Sequence, residues 1–235
     1  MNSLQNKVVV ITGASGGMGR EISARLLGAG AKLALLSNDP TALAALAGEL
    51  SAVGSGEFFT REVDVREEEA VAAAFDETLA RLGRPDILLN LAGLSIPAKI
   101  WDMSESDFNL MLDVNVKGTF LSVKHFARTN GEGGQIVNIG SMAAKRANGN
   151  APMYCTAKAA VNMLSAGAAI QLKEKNIRVT TLNPGGADTP FWGERKIDRS
   201  KLLRASDVAD VILFVLSLDS RVAVSEINFE SFLNL

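Results

Sequence analysis

Short apolar, β-branched runs alternate with segments of helical spacing along this chain, and that alternation constrains the fold more than any other feature. Lys7 to Thr12, Lys32 to Ser37, Phe58 to Val63, Asp86 to Leu91, Gln135 to Ile139, Ile177 to Leu182 and Glu226 to Phe229 read as strands. The stretches between them carry helix signals. Asp39-Pro40 reads as an N-cap followed by proline at the first helical position, Glu67 to Leu82 has acids in its first turn and Arg81 in its last, and Ser104-Glu-Ser-Asp107 opens a long helix to about Arg128. Further helices are expected from Met153 to about Lys175 and from Ser206, as cap, to about Leu216. Strands alternating with helices predict an α/β chain with a doubly wound parallel sheet and helices on both faces. At 235 residues the chain is expected to form a single domain, residues 1–235.

The first strand stops at Gly13-Ala-Ser-Gly-Gly-Met-Gly19 and gives way to the helical segment Arg20 to Leu27. Glycines there let the backbone turn tightly and approach a pyrophosphate, whose charge is favoured by the free N–H groups at the start of a helix. An ordinary flexible turn is the plainer reading of a Gly-rich loop alone. A strand before it and a helix after it favour dinucleotide binding in a Rossmann-type sheet, with ligand at the carboxyl ends of the strands.

A second stretch carries groups suited to acid–base work on a carbonyl. Ser141 follows the strand Gln135 to Ile139, while Tyr154 and Lys158 lie four apart in an Ala-rich helical segment and therefore share a face. A phenol with a pKa of about 10 is a poor proton relay near neutrality unless a cation such as Lys158 stabilises its phenolate. The bland alternative is an interfacial tyrosine with a chance lysine one turn on. Composition removes other chemistries. Cys155 and His125 are the only residues of their kinds, so there is no intrachain disulfide and no cluster with zinc-ligand spacing. Cys155 reads as a small buried hydrophobe and His125 as a packed or surface histidine. A net charge of -2 gives no basic field for nucleic acid. With no signal-peptide core and no apolar stretch long enough to span a bilayer, a soluble cytoplasmic protein is expected.

Taken together, Thr12-Gly13-x-x-x-Gly17-x-Gly19, Asn90-Leu-Ala92-Gly93, Asn115, Ser141, Tyr154-x-x-x-Lys158 and Asn183-Pro184-Gly185 resemble the short-chain dehydrogenase/reductase family, in order and over nearly the whole chain. Gly13, Gly16 and Gly19 also fit the turn of the family's extended branch, but the chain's length argues against that branch. The resemblance implies an oxidoreductase that passes a hydride between NAD(P)(H) and a carbonyl or secondary alcohol. Tyr154 would be the general acid/base, and Ser141 would hydrogen-bond the substrate oxygen. Lys158 would lower the tyrosine pKa and bind the nicotinamide ribose, with Asn115 holding a water near it. It also implies dinucleotide contacts at Thr12, Gly13, Ser15, Gly16, Gly17, Met18, Gly19, Ser37, Asn38, Asp64, Val65, Asn90, Ala92, Gly93, Tyr154, Lys158, Pro184, Gly185 and Thr189. As residues alone, Asp64 equally suits a helix cap and Asn115 a solvated helix position. Leu91 stands where the family usually has asparagine, and the tail from Glu230 replaces its usual Asp-Gly-Gly.

Cofactor choice in the family rests on the end of the second strand. Ser37 is neutral and removes the main obstacle to NADP, although no arginine stands at Asn38 or Gly16. NADP is favoured over NAD. The substrate pocket is expected to be compact and apolar, walled by Leu94, Ile96, Ser141, Met142, Met153, Phe191 and Trp192 and closed by a lid at about residues 189–203. Lys145 and Arg146 form a solvated rim or recruit a carboxylate. Apolar Ala159, Met163, Ala166 and Ile170 suit either pairing with a second copy, as homodimer or homotetramer, or burial against the chain's own sheet. The rival readings are a non-catalytic dinucleotide sensor or scaffold, and an epimerase or dehydratase with tightly held cofactor.

Overall fold

The structure, a computed structural model, describes residues 4–53 and 56–234. Seven strands form one sheet: β1 (Val8–Thr12), β2 (Lys32–Ser37), β3 (Phe58–Glu62), β4 (Ile87–Asn90), β5 (Gly134–Ile139), β6 (Ile177–Pro184) and, last in the chain, β9 (Glu226–Phe229). Their order is β3-β2-β1-β4-β5-β6-β9, and every neighbouring pair is parallel. The chain moves outward from β1 through β2 and β3, then returns to β4 and moves the other way. The direction of winding therefore reverses between β1 and β4, the place where an open α/β sheet has a crevice at its carboxyl edge.

Both faces of the sheet are covered, which is why the strands read as continuous apolar runs rather than alternating ones. Val9, Ile11, Leu33 and Leu35 point to one face, where they pack with Ile22 and Leu26 of α1 (Gly17–Gly28), Leu46 of α2 (Pro40–Val53) and Ile212 of α7 (Ala205–Ser217). Val8, Val10, Ala34 and Leu36 point to the other, against Phe75 of α3 (Glu68–Leu82), Phe126 of α5 (Gly118–Thr129) and Ala168 of α6 (Pro152–Leu172). The expected caps hold at two helices, with the Asp39 side chain accepting from Ala42 N–H at 2.9 Å and Ser104 from Asp107 N–H at 3.0 Å. Ser206 does not cap α7. The helix starts two residues earlier, with Arg204 as cap and the Asp207 carboxylate accepting the Arg204 N–H at 2.8 Å.

The helix opened by Ser104 is not uniform. α4 (Glu105–Leu112) passes into one wide turn with π-helical hydrogen bonding, Asp113–Lys117, before α5 begins. On α6, Ala159, Met163, Ala166 and Ile170 are all exposed, so this stripe faces away from the chain's own sheet. Among the described residues no helix is long and apolar enough to cross a membrane, and no three His, Cys, Asp or Glu side chains converge as metal ligands.

Polar side chains at the carboxyl ends of the central strands satisfy one another. Thr12 donates to Asn90 Oδ1 at 3.4 Å, Asn90 donates to Asn138 Oδ1 at 2.8 Å, and Asn138 donates to Ser165 Oγ of α6 at 2.8 Å. The chain of amides ties β1, β4, β5 and the helix bearing Tyr154 into one rigid edge. Asn138→Ala leaves the buried Asn90 amide without its acceptor and should cost about 1 to 3 kcal/mol; equilibrium denaturation of wild type and variant measures it.

Candidate active site

The dinucleotide cradle is built by close backbone approach at the β1–α1 turn. Gly13 sits at φ +67°, and a Cβ there would stand 2.7 Å from the Ala92 nitrogen, so the turn after β1 and the loop after β4 touch backbone to backbone. A side chain at Gly19 would run into the Gly13 carbonyl oxygen. No side chain caps α1, which leaves its first-turn N–H groups, from Gly17 and Met18 on, available to an anion. At the end of β2, Ser37 and Ser15 share a hydrogen bond of 2.7 Å, and Asn38 is exposed beside them. These residues fit a bound dinucleotide.

Asp64 does not cap α3, whose cap position is Glu67. Its carboxylate pairs with Arg66 at 2.6 Å, and that guanidinium holds its pKa below the ordinary carboxylate value. Val65 is buried against Gly118, where a Cβ would lie 2.7 Å from a valine methyl. Leu91, the departure from the family pattern, joins the apolar core, and the turn is kept by its own N–H, bonded to the Thr12 carbonyl at 3.2 Å. At the far edge, Gly185 N–H bonds the Phe229 carbonyl at 2.7 Å, fixing the turn after β6, and Thr189 packs onto Gly17.

Asn115, Ser141, Tyr154 and Lys158 approach one another above the carboxyl end of β5. Lys158 is buried and donates to the Ile139 carbonyl at 2.9 Å, and its Nζ lies 5.8 Å from the Tyr154 ring centre. Among the described residues no carboxylate pairs with it, and burial pushes its pKa down to about 8. Asn115 occupies the wide turn between α4 and α5. Its amide donates to the Leu94 and Met111 carbonyls, both at 2.9 Å, while its buried Oδ1 has no protein partner. Wide turns of this kind free backbone groups and recur at functional sites. A Cβ at Gly93 would stand 2.8 Å from Asn115 Oδ1 and 3.3 Å from Lys158 Nζ, so this glycine makes room for both. Ser141 accepts the Ala143 N–H at 3.0 Å, which leaves its hydroxyl proton free to donate, and its own N–H is held by Asn183 Oδ1 at 2.9 Å.

Burial pushes the Tyr154 phenol up to about 12, with the Ser141 hydroxyl and the Arg195 charge pulling it down. This direction is opposite to the lowering expected from Lys158. The cause is desolvation, which a one-dimensional spacing does not register.

Of the expected pocket residues, Leu94, Ile96, Met142, Met153, Phe191 and Trp192 are all half-buried. Phe191 packs on the Tyr154 ring, with centres 5.9 Å apart. Trp192 lies one ring further away, and its indole N–H is spent on the Ala187 carbonyl at 2.8 Å, so it anchors the lid. The lid's ends are tied by a short parallel ladder between β7 (Ala187–Asp188) and β8 (Leu203–Arg204). Lys145 and Arg146 pair with Glu226 at 2.6 Å and Glu230 at 2.5 Å, which favours the rim over recruitment of a carboxylate. Cys155 is half-buried and not a simple hydrophobe, since its sulfur accepts the Asn148 N–H at 3.3 Å. His125 stacks on Phe75 and bonds Glu68 at 3.2 Å, packed on the α3–α5 side. A recess of about 890 Å³ bordered by Asp86 and Arg178 lies at the amino ends of β4 to β6 and holds none of these residues.

The family model described as short chain dehydrogenase matches residues 7–200. The chain belongs to the short-chain dehydrogenase/reductase family. It is thereby an NAD(P)-dependent oxidoreductase by family. An uncharacterized oxidoreductase of Staphylococcus saprophyticus is 33% identical over 229 residues, covering 97% of this chain and 98% of that protein. The (2S)-[(R)-hydroxy(phenyl)methyl]succinyl-CoA dehydrogenase subunit BbsD of Thauera aromatica is 31% identical, covering 95% and 94%. Among solved structures, an alcohol dehydrogenase of the archaeon Thermococcus sibiricus, complexed with 5-hydroxy-NADP, superposes with a TM-score of 0.87 at 29% identity, over 97% of each chain. A short-chain type dehydrogenase/reductase of Mycobacterium ulcerans gives 0.90 at 30%, over 97% of this chain and 89% of that one.

Two functional neighbours escaped sequence reading in this short-chain dehydrogenase/reductase. Asn183 holds Ser141, and its only signal was its place as the last asparagine before the Pro-Gly turn. Arg195 reaches the Tyr154 neighbourhood from the lid, with no signal beyond its charge. The buried lysine makes the fold pH-sensitive. Its folded pKa lies below the ordinary 10.5, so between about 8 and 10.5 the unfolded chain binds more protons and stability rises with pH. Lys158→Met should therefore stabilise the protein at pH 7 by about 1 to 3 kcal/mol. Thermal unfolding across this range should show the advantage shrinking as the wild-type lysine loses its proton.

Proposed function

We propose that this protein interconverts a carbonyl and a secondary alcohol, with Tyr154 as the proton-transfer group. The observation that carries the reading is the convergence of Ser141, Tyr154, Lys158 and Asn115 beside a backbone cradle for a dinucleotide. The Thauera relative, by its name, is a dehydrogenase of a hydroxy compound, which supports the same reaction class.

A dinucleotide held by the backbone turn from Gly13 to Gly19 would supply the hydride for the carbonyl carbon, or take it up in the reverse direction. Tyr154 gives its phenolic proton to the substrate oxygen as negative charge develops there. Ser141, its lone pair engaged by Ala143 N–H, turns its own proton toward that oxygen and stabilises the same charge. Lys158 then faces a phenolate, and the two charges stabilise each other in a site from which water is largely excluded. The free Oδ1 of Asn115 is the acceptor through which a proton path from Lys158 would leave the buried site.

NADP is the proposed cofactor. Ser15, Ser37 and Asn38 offer neutral donors at the end of β2, with no carboxylate at those positions to repel a 2'-phosphate. The Thermococcus structure holds an NADP derivative in the same fold.

Purified enzyme should reduce ketones with a higher kcat/KM for NADPH than for NADH, followed by nicotinamide absorbance. Tyr154→Phe should lower kcat by about 10²- to 10⁴-fold while leaving the dinucleotide Kd within about twofold. A variant retaining most of its kcat would remove Tyr154 from the chemistry, and a clear preference for NADH would reverse the cofactor assignment.

A further inference from the structure

We infer that Arg195 is a substrate-selecting residue that binds a carboxylate on the substrate, making carboxylate-bearing ketones and their hydroxy acids the preferred class. The inference rests on the carbonyl-reducing role proposed for Tyr154 and narrows its substrates.

Arg195 is half-buried in the lid, and its guanidinium bridges the mouth of the site. One nitrogen, Nη2, donates to the Phe191 carbonyl at 2.9 Å within the lid and to the Ser95 carbonyl at 3.3 Å in the loop after β4. The guanidinium carbon lies 5.3 Å from the Phe191 ring centre and 5.4 Å from that of Trp192. Phe191 in turn packs on Tyr154, so one ring separates this cation from the proton-transfer group. Its charge is felt there, since it lowers the Tyr154 pKa against the effect of burial.

Among the described residues no carboxylate pairs with Arg195, and its Nε and Nη1 donors have no acceptor there. Several cations around the lid are neutralised, Arg199 by Asp188 at 2.6 Å, Arg204 by Asp207 at 2.7 Å, Lys145 by Glu226 and Arg146 by Glu230, while Lys196 and Lys201 are exposed to solvent. A half-buried guanidinium with a fixed head and three idle donors, held against the Phe191 and Trp192 rings, discriminates strongly between an anionic and a neutral ligand. The cofactor's phosphates are the competing source of negative charge. They belong with the uncapped start of α1 and with Gly17, and the lid residue packed there is Thr189. Arg195 is tied instead to the Ser95 loop and the aromatic pair beside Tyr154.

Two readouts on the full-length protein test this. The first is binding of benzoate and of benzamide to the protein–NADP complex, followed by calorimetry and needing no turnover. Wild type should bind benzoate about tenfold or more tightly than benzamide, Arg195→Met should bind the two equally, and Arg195→Lys should recover part of the preference. The second is kcat/KM for acetylbenzoates and their methyl esters. The acid should lead by about tenfold, mainly through KM, and the lead should vanish in Arg195→Met. Equal benzoate and benzamide binding in wild type overturns the inference, as does a weakened NADP Kd in Arg195→Met, which would give Arg195 to a cofactor phosphate. Selective benzoate binding with no turnover of any carbonyl or alcohol supports the anion site and removes the oxidoreductase reading instead.

Discussion

The ammonium of Lys158 is buried with no carboxylate beside it, and much of the site follows from that one costly placement. Its acceptor among the described residues is the Ile139 carbonyl, at the point where β5 ends. Gly93 carries no side chain because one would collide with Asn115 and crowd the lysine. Asn115 lies in a wide turn that interrupts an otherwise regular helix. These features belong to three separate segments of the chain, and each makes sense only with the other two in place. A lysine serving packing alone would reach solvent, as long charged side chains usually do. This one is held 5.8 Å from the Tyr154 ring centre, as the proposed proton transfer requires.

The parallel sheet makes the arrangement possible. Because every strand runs the same way, the ends of β1, β4, β5 and β6 lie at one edge, and residues far apart in sequence meet there. The amide chain from Thr12 through Asn90 and Asn138 to Ser165 fixes the near side, and Asn183 fixes Ser141 from β6. The lid contributes differently. It is closed at its base by the β7–β8 ladder and tied to the Ser95 loop by Arg195, so that Phe191 sits on the Tyr154 ring while the lid's tip stays exposed.

The sheet was legible from sequence because burial on both faces writes each strand as an uninterrupted apolar run. Glycine spacing and the Tyr154, Lys158 pair were legible for the same local reason, since each is a pattern within one element or turn. The departures are matters of three-dimensional environment. The tyrosine's pKa direction depends on desolvation by the lid, the role of Trp192 on which carbonyl its N–H meets, and the standing of Lys145 and Arg146 on Glu226 and Glu230 some eighty residues later. Arg195 could not be singled out from Lys196 or Arg199 by sequence, because what distinguishes it, half-burial beside Phe191 and Trp192 and a bond to the Ser95 carbonyl, exists only in space.

Tyr154 is the only tyrosine in the chain, so its ionisation can be read directly as the rise of tyrosinate absorbance near 295 nm with pH. The account predicts that in the protein alone this transition lies well above the ordinary value of about 10, and that oxidised dinucleotide, which brings positive charge beside the ring, moves it down by about one unit or more. A Tyr154 transition at or below the ordinary value in the protein alone, or one at the same pH with and without dinucleotide, would contradict the account.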